Sequence, residues 1–318
     1  MRNNLINNTQ FALVLRQLSS LTDKGKSFDE ACSLIRQHAS SAEIKHLETI
    51  NMLVTSDFQD IKNRDFLGEC IKLIKQNSGD TASFLTSFQK RLSNNPFNST
   101  AYWIGIFTSL GYAGFLILFS ITCFSIFSIF VFPQINDTLN TPSSSMPYFS
   151  KMIFDYSQEI MFCMILLLPF IAVVIFLGLN AQYKMRSLMP LSDFLTCKIF
   201  MRKVAQKYNS FLLCSFSQTF LCCGVSADIA LLLANEIVYK KNSKQVKSDN
   251  LCLAQKLGVL ESELSFQEPN TSAAAIKEMV QFADRIPMIL KPLLYITIGS
   301  LIVAMYQPLF AIGSIGIF

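Results

Sequence analysis

Two uncharged stretches, 102–134 and 160–180, constrain this chain more than any other feature, because only a short polar segment, 135–159, parts them. The first contains WIGIFTSLGYAGFLILFSITCFSIFSIFVF. Roughly twenty apolar residues already cross the hydrocarbon core of a bilayer. The second, IMFCMILLLPFIAVVIFLGL, is close to that minimum. Neither carries the polar face that a helix lying on a water-soluble core requires, so both read as helices solvated by lipid. A third run, PLLYITIGSLIVAMYQPLF, closes the chain, and no charged side chain follows Lys291. The expected fold class is all-α, with three transmembrane helices at 101–133, 160–180 and 289–318.

An odd number of spans puts the two termini on opposite sides, and loop charge decides the orientation. The segment before the span pair carries twelve Lys/Arg against ten Asp/Glu, and the one that follows the second span, through Lys291 at the mouth of the third, carries fourteen against nine. The inter-span loop, 134–159, has a single basic residue, Lys151. Close to the spans, Lys90, Arg91, Lys184, Arg186, Arg285 and Lys291 all fall on the same side. That side is expected to be cytoplasmic, with the loop and the C-terminus exported. Segments 1–98 and 181–288 then read as two small cytoplasmic helical bundles, each about a hundred residues and long enough to bury a core. Residues 1–10 are polar and do not read as a secretory signal, so the first span is expected to act as the insertion signal.

The nine cysteines suggest no disulfide framework. Seven lie in the cytoplasmic segments, Cys123 and Cys163 lie within spans, and no Cys-x-x-Cys occurs. Buried thiols acting as small apolar residues are the expectation.

In the first segment Phe11, Val14, Leu15, Leu18 and Leu21 recur at helical spacing until Asp23-Lys24-Gly25-Lys26 interrupts them. Ser27-Phe28-Asp29-Glu30 then has the form of a capping box. Further stripes follow at Ile44, Leu47 and Val54, at Phe66, Leu67, Cys70, Ile71 and Ile74, and at Phe84, Leu85, Phe88 and Leu92. Asn94-Asn95-Pro96 ends this bundle of five or six helices. The second segment repeats the device: an apolar helix over 211–221, a break at Gly224, and a helix start at Ser226-Ala227-Asp228. Setting Gly224 on Gly25 places Asp228 on Asp29 and Ala230 on Ala31. Pro96 and Pro292 follow at about the same distance, roughly 70 residues, as expected of a duplicated unit. Gly25 and Gly224 are expected to adopt a left-handed backbone as structural turns.

Sharper chemistries find little support. Gly25-Lys26-Ser27 matches the end of a phosphate-binding loop, but position 20 is Ser and a helix precedes it. His38 and His46 are the only histidines and lack a third ligand. Lys240, Lys241, Lys244 and Lys247 form a basic cluster suited to anionic lipid or an acidic partner. No constellation of nucleophile, base and orienting group is recognisable, so no catalytic, cofactor or metal residue is assigned. Beyond Lys291, at the entry of the third, the spans hold no charged residue that would mark an ion path. They do hold small residues at close spacing, Gly105 and Ser109, Gly111 and Gly114, Ser300 and Ala304, suited to packing within the chain or against another helix. Pro169 is expected to bend the second span.

The order of helical domain, span pair, second helical domain and final span resembles the inner-membrane platform proteins of type II secretion systems and type IV pili, the GspF/PilC family. The resemblance covers nearly the whole chain. It rests on RQLSSLTDKGKSFDEACSLI and FSQTFLCCGVSADIALLLANEI, and on the tail, where Pro292 enters the last span and Tyr306 and Pro308 leave it. Lys291 stands where the family usually has an acidic residue, and the family's Gly-Glu segment is not recognisable around 266–276, which suggests a divergent, type IVb-like member. The resemblance implies a non-enzymatic scaffold in the bacterial inner membrane. Its implied partners are a cytoplasmic assembly ATPase, pilins or pseudopilins, other inner-membrane assembly proteins and further copies of itself, with no nucleic acid. The alternative is a three-span receptor or transport component, for which intramembrane polar residues or a larger exported domain would be expected.

Overall fold

The computed structural model describes residues 9–55, 66–139, 148–191, 201–239 and 249–315. These are helical, with no strand among the described residues. The first segment holds α1 (Thr9–Asp23), α2 (Phe28–His38), α3 (Ser41–Thr55), α4 (Phe66–Gln76) and α5 (Thr81–Ser93), then a short 3-10 turn at Pro96–Asn98. The span pair comprises α6 (Thr100–Ile126), a π segment (Phe127–Val131), α7 (Phe132–Leu139), α8 (Tyr148–Asp155) and α9 (Ser157–Arg186). The remainder holds α10 (Arg202–Cys222), α11 (Ala227–Tyr239), α12 (Asp249–Lys256) and α13 (Leu260–Ile315).

Three helical stretches, Thr100–Gln134, Ser157–Arg186 and Leu260–Gln307, are long and apolar enough to cross a membrane. This is a helical membrane protein. Two expected boundaries differ. The segment 134–159 is helical over most of its described residues, because α7 continues the first helix beyond the span to Leu139 and α8 precedes α9. The final span does not begin afresh near position 289: α13 starts at Leu260 and runs through Pro269, Pro287, Pro292 and Pro308. Each proline removes one backbone donor, a loss a helix tolerates when neighbouring groups serve the freed carbonyls. Pro269 removes the helical donor to the Ser265 carbonyl, and the turn that follows is reinforced by side chains, Asn270 donating to the Phe266 carbonyl and Thr271 to that of Gln267. In the first span Pro133 follows a π turn, in which the Phe132 N–H reaches Phe127. A widened turn of this kind relieves the clash between a proline ring and the carbonyl behind it.

The chain divides into two compact units, Met1–Ser99 with Asn180–Glu278, and Thr100–Leu179 with Met279–Phe318. In the first unit the two helical segments share one interior. Phe84 and Phe88 of α5 stack on Phe220 and Phe216 of α10 with ring centroids 6.1 and 6.3 Å apart, and Phe97 meets Tyr208 and Phe211 at 5.3 and 5.5 Å. As the numbers rise along one partner they fall along the other, so α5 and α10 run antiparallel. Each such aromatic pair contributes about 0.5–1.5 kcal/mol beyond the area it buries.

In the second unit, α6 buries Trp103, Ile106, Leu110, Ala113, Ile117, Ser120 and Phe124. Their alternating spacing of three and four is the seam of left-handed helix packing. Ala113 and Ile117 pack with Ile171 of α9, while Phe124 and Phe132 pack with Ile153, Met164, Leu301 and Ala304. Tyr112, Phe115, Leu118 and Phe119 stay exposed, as lipid-facing residues do.

Candidate functional site

The turns of the duplicated motif are built alike. In each, the residue after the left-handed position donates its N–H five residues back, Lys26 to Leu21 at 3.2 Å and Val225 to Phe220 at 3.2 Å. Gly25 and Gly224 have φ of +84° and +81°. The following helix is capped in the first copy by Ser27 Oγ, which accepts the Glu30 N–H at 3.2 Å. Glu30 does not complete a closed box; its carboxylate accepts from Lys26 Nζ at 2.6 Å, which holds its pKa below the ordinary value. Gly25, Lys26 and Ser27 are thus occupied as a turn, an ion pair and a cap. Asp29 lies exposed in the first turn of α2. Asp228 occupies the matching turn of α11 and accepts from Gln255 Nε2 at 2.9 Å.

The structure adds residues that the periodicity did not single out. Asp80 caps α5 by accepting from the N–H groups of Ala82 and Ser83, and its own N–H donates to the Cys223 carbonyl at 3.0 Å. The turn at Ser78–Gly79 therefore lies directly on the turn at Gly224. A Cβ placed on Gly79 would stand 2.8 Å from Ile74 Cγ2 and 2.9 Å from Val225 Cγ2, so this contact admits only glycine without movement. In the last turn of α5, the Arg91 guanidinium is shared between Ser215 Oγ of α10 and the Glu268 carboxylate of α13. At the other end, Asn95 donates to the Met185 and Arg186 carbonyls at 2.8 and 3.1 Å while its Oδ1 accepts the Phe97 N–H, closing the end of α9. Asn209 makes a two-bond pairing with the Leu191 backbone. Asp80 has a sequence signal, an acid after Gly and before an apolar stripe. Asn95 before Pro96 has the form of a cap, which its bond to Phe97 fulfils, but its bonds to Met185 and Arg186 and the pairing of Asn209 with Leu191 have no local signal, since those partners are backbone groups farther along the chain.

Burial pushes the thiols of Cys214 and Cys223 up to about 12, and the Cys223 thiol donates to the Thr219 carbonyl. Such thiols are structural, not nucleophilic. Among the described residues no three of His, Cys, Asp and Glu converge on a common point. His46 lies edge-on to Phe11. The cluster Lys240, Lys241, Lys244 and Lys247 lies outside the described residues.

In the membrane unit the final-span residues separate. Pro292 lines an open groove of about 720 Å³ with Thr108, Ser109, Tyr112, Asp284, Lys291 and Tyr295. Ser109 Oγ donates to Asp284 Oδ1 at 3.1 Å, and the Lys291 ammonium lies 5.4 Å from the Tyr112 ring centre, within cation–π range. Asp284 and Lys291 are seven residues apart, two helical turns or about 10 Å along the axis. Tyr306 is half exposed beside Phe310, away from this groove, and Pro308 continues the helix. Of the small residues, Gly114 and Ala304 face neighbouring spans, whereas a Cβ on Gly105 or Gly111 would meet nothing within 4 Å. The arrangement is one of helices joined by long-range hydrogen bonds in the first unit and an open groove along the spans in the second. Comparison of the chain with protein-family models, curated proteins and solved structures finds no match.

Proposed function

We propose that the chain is an inner-membrane platform protein of a type IV pilus or type II secretion machine, a scaffold that couples a cytoplasmic assembly ATPase to polymerisation of pilins or pseudopilins. The observation that carries this reading is the single helical body formed by the segments on either side of the span pair, joined at Asp80–Cys223 and Arg91–Glu268. Such packing requires both segments on one side of the membrane, as a hairpin of spans provides. A rigid body of this kind can pass a partner's movement onward without chemistry of its own. The groove beside Pro292 gives the membrane part an apolar wall with a cation and a carboxylate, suited to a hydrophobic helix with a polar end.

The test combines topology with capture. Reporter fusions at Ser144 are expected to report export, and those at Asn98 and Lys247 cytoplasm. A photo-crosslinking residue at Tyr112 or Tyr295 is expected to capture a pilin or pseudopilin in cells, and the purified chain to bring down the ATPase while hydrolysing no nucleotide itself. A cytoplasmic Ser144, or cross-links confined to lipid with no ATPase retained, would overturn the proposal.

A further inference from the structure

A second cleft, about 320 Å³, opens between α1 and α5, lined by Arg16, Ser19, Asp23, Lys24, Gln89 and Lys90 among others. Its volume lies at the small end of ligand clefts, about 300–1,000 Å³. Three cations against one carboxylate leave two positive charges, and none of the three is in an ion pair among the described residues. Ser19 is committed to the Thr86 carbonyl at 3.4 Å. Gln89 is the unusual member. It is only 5 % exposed, its Nε2 donates to Ser93 Oγ at 3.2 Å, and its buried Oε1 has no partner. A buried acceptor left unmet costs about 1–3 kcal/mol, a cost that a donor on a bound ligand would relieve.

We propose that this cleft binds a small phosphorylated compound whose phosphate sits among Arg16, Lys24 and Lys90 and whose neighbouring hydroxyl or amide N–H donates to Gln89 Oε1. The two surplus charges match a phosphate monoester, which carries about −1.5 to −2 at neutral pH, better than they match a single carboxylate. Guanidinium and ammonium donors make charge-assisted bonds to phosphate oxygens, and the amide oxygen selects a ligand bearing a donor over the bare anion. The site owes nothing to Gly25-Lys26-Ser27, and it is independent of the scaffold role proposed above.

The test is calorimetric titration of the full chain in nanodiscs with ribose 5-phosphate, inorganic phosphate and ribose. Ribose 5-phosphate is expected to bind one per chain, about tenfold more tightly than inorganic phosphate, with ribose unbound and the affinity falling as salt rises. Arg16→Ala, Lys24→Ala and Lys90→Ala, all at exposed positions, should each weaken both phosphate probes about tenfold. Gln89→Leu should reduce ribose 5-phosphate to the affinity of inorganic phosphate and leave the latter unchanged, with folding checked by helix content. Failure of both phosphate probes to bind, equal affinity for the two in the parent protein, or binding indifferent to Arg16→Ala and Lys90→Ala would overturn the proposal.

Discussion

Gly25, Ser78, Leu188, Gly224 and Gly258 all have φ between +52° and +84°, and each ends a helix with the next N–H bonded five residues back. Three are glycine, for which this conformation is free; in the other two a Cβ in the left-handed region costs about 1–2 kcal/mol. Burial sets the net effect at each. Leu188 is 2 % exposed, and burying a leucine contributes about 1.5–3 kcal/mol, which offsets the strain. Ser78 is exposed and has no such compensation. Ser78→Gly is therefore expected to stabilise the protein by about 1 kcal/mol and Leu188→Gly to destabilise it by a similar amount. Gly79→Ala, one residue on, should cost about 1–3 kcal/mol through overpacking against Ile74 and Val225, with part of the loss recovered by Val225→Ala. Thermal unfolding in detergent measures all of these. Equal stabilisation by Ser78→Gly and Leu188→Gly would show that backbone strain alone decides.

Among the helices, α3 has the most complete cap. The Ser40 N–H and hydroxyl donate to Glu43 Oε2 at 2.7 and 2.8 Å, and Ser40 Oγ accepts the Glu43 N–H at 3.4 Å, a reciprocal box. The bond from the Ser40 N–H holds the Glu43 carboxyl below its ordinary value of 4.5. A carboxyl depressed in the folded state contributes stability above its unfolded value and loses it as pH falls through the folded one. Protection of α3 amides against hydrogen exchange should thus fall selectively below about pH 4, and Glu43→Gln should remove that dependence. Protection unchanged down to pH 3 would mean that the box does not hold α3. The stripes of α1, α4 and α5 were legible because apolar and polar residues alternate on their faces; this box follows the same Ser-x-x-Glu pattern that marks Ser27, and was equally readable. Other elements left no such signal. In α6 every face is apolar, so the buried seam from Trp103 to Phe124 differs from its lipid-facing neighbours in nothing that periodicity detects. In α13 the helix runs through Pro269, Pro287, Pro292 and Pro308, so the start of the last span at about position 289 is not a helix start.

At the scale of the whole molecule, the sequence presents two helical segments of about equal length, each with its own stripes, and nothing local says that the stripes face each other. The pairing lives in long-range contacts: Phe84 on Phe220, Phe88 on Phe216, Phe97 on Tyr208, with Arg91 bonded to Glu268 at the rim. Separated from its counterpart, segment 1–98 would expose the apolar edge formed by Phe84, Phe88 and Phe97, all fully buried here. Contiguous apolar surface of that kind drives association in water. The isolated segment is therefore expected to self-associate, and co-production with segment 180–278 to convert it into a one-to-one complex. Phe88→Ala should weaken that complex, since deleting a buried phenylalanine costs about 3–5 kcal/mol. Light scattering after size exclusion distinguishes the states, and a stable monomeric 1–98 unaffected by its counterpart would refute the shared interior. With the interior shared, the two helical segments that flank the span pair in the sequence form one folded body. Asn95 adds a polar tie within that body, holding the end of the first segment to the Met185 and Arg186 carbonyls that close α9.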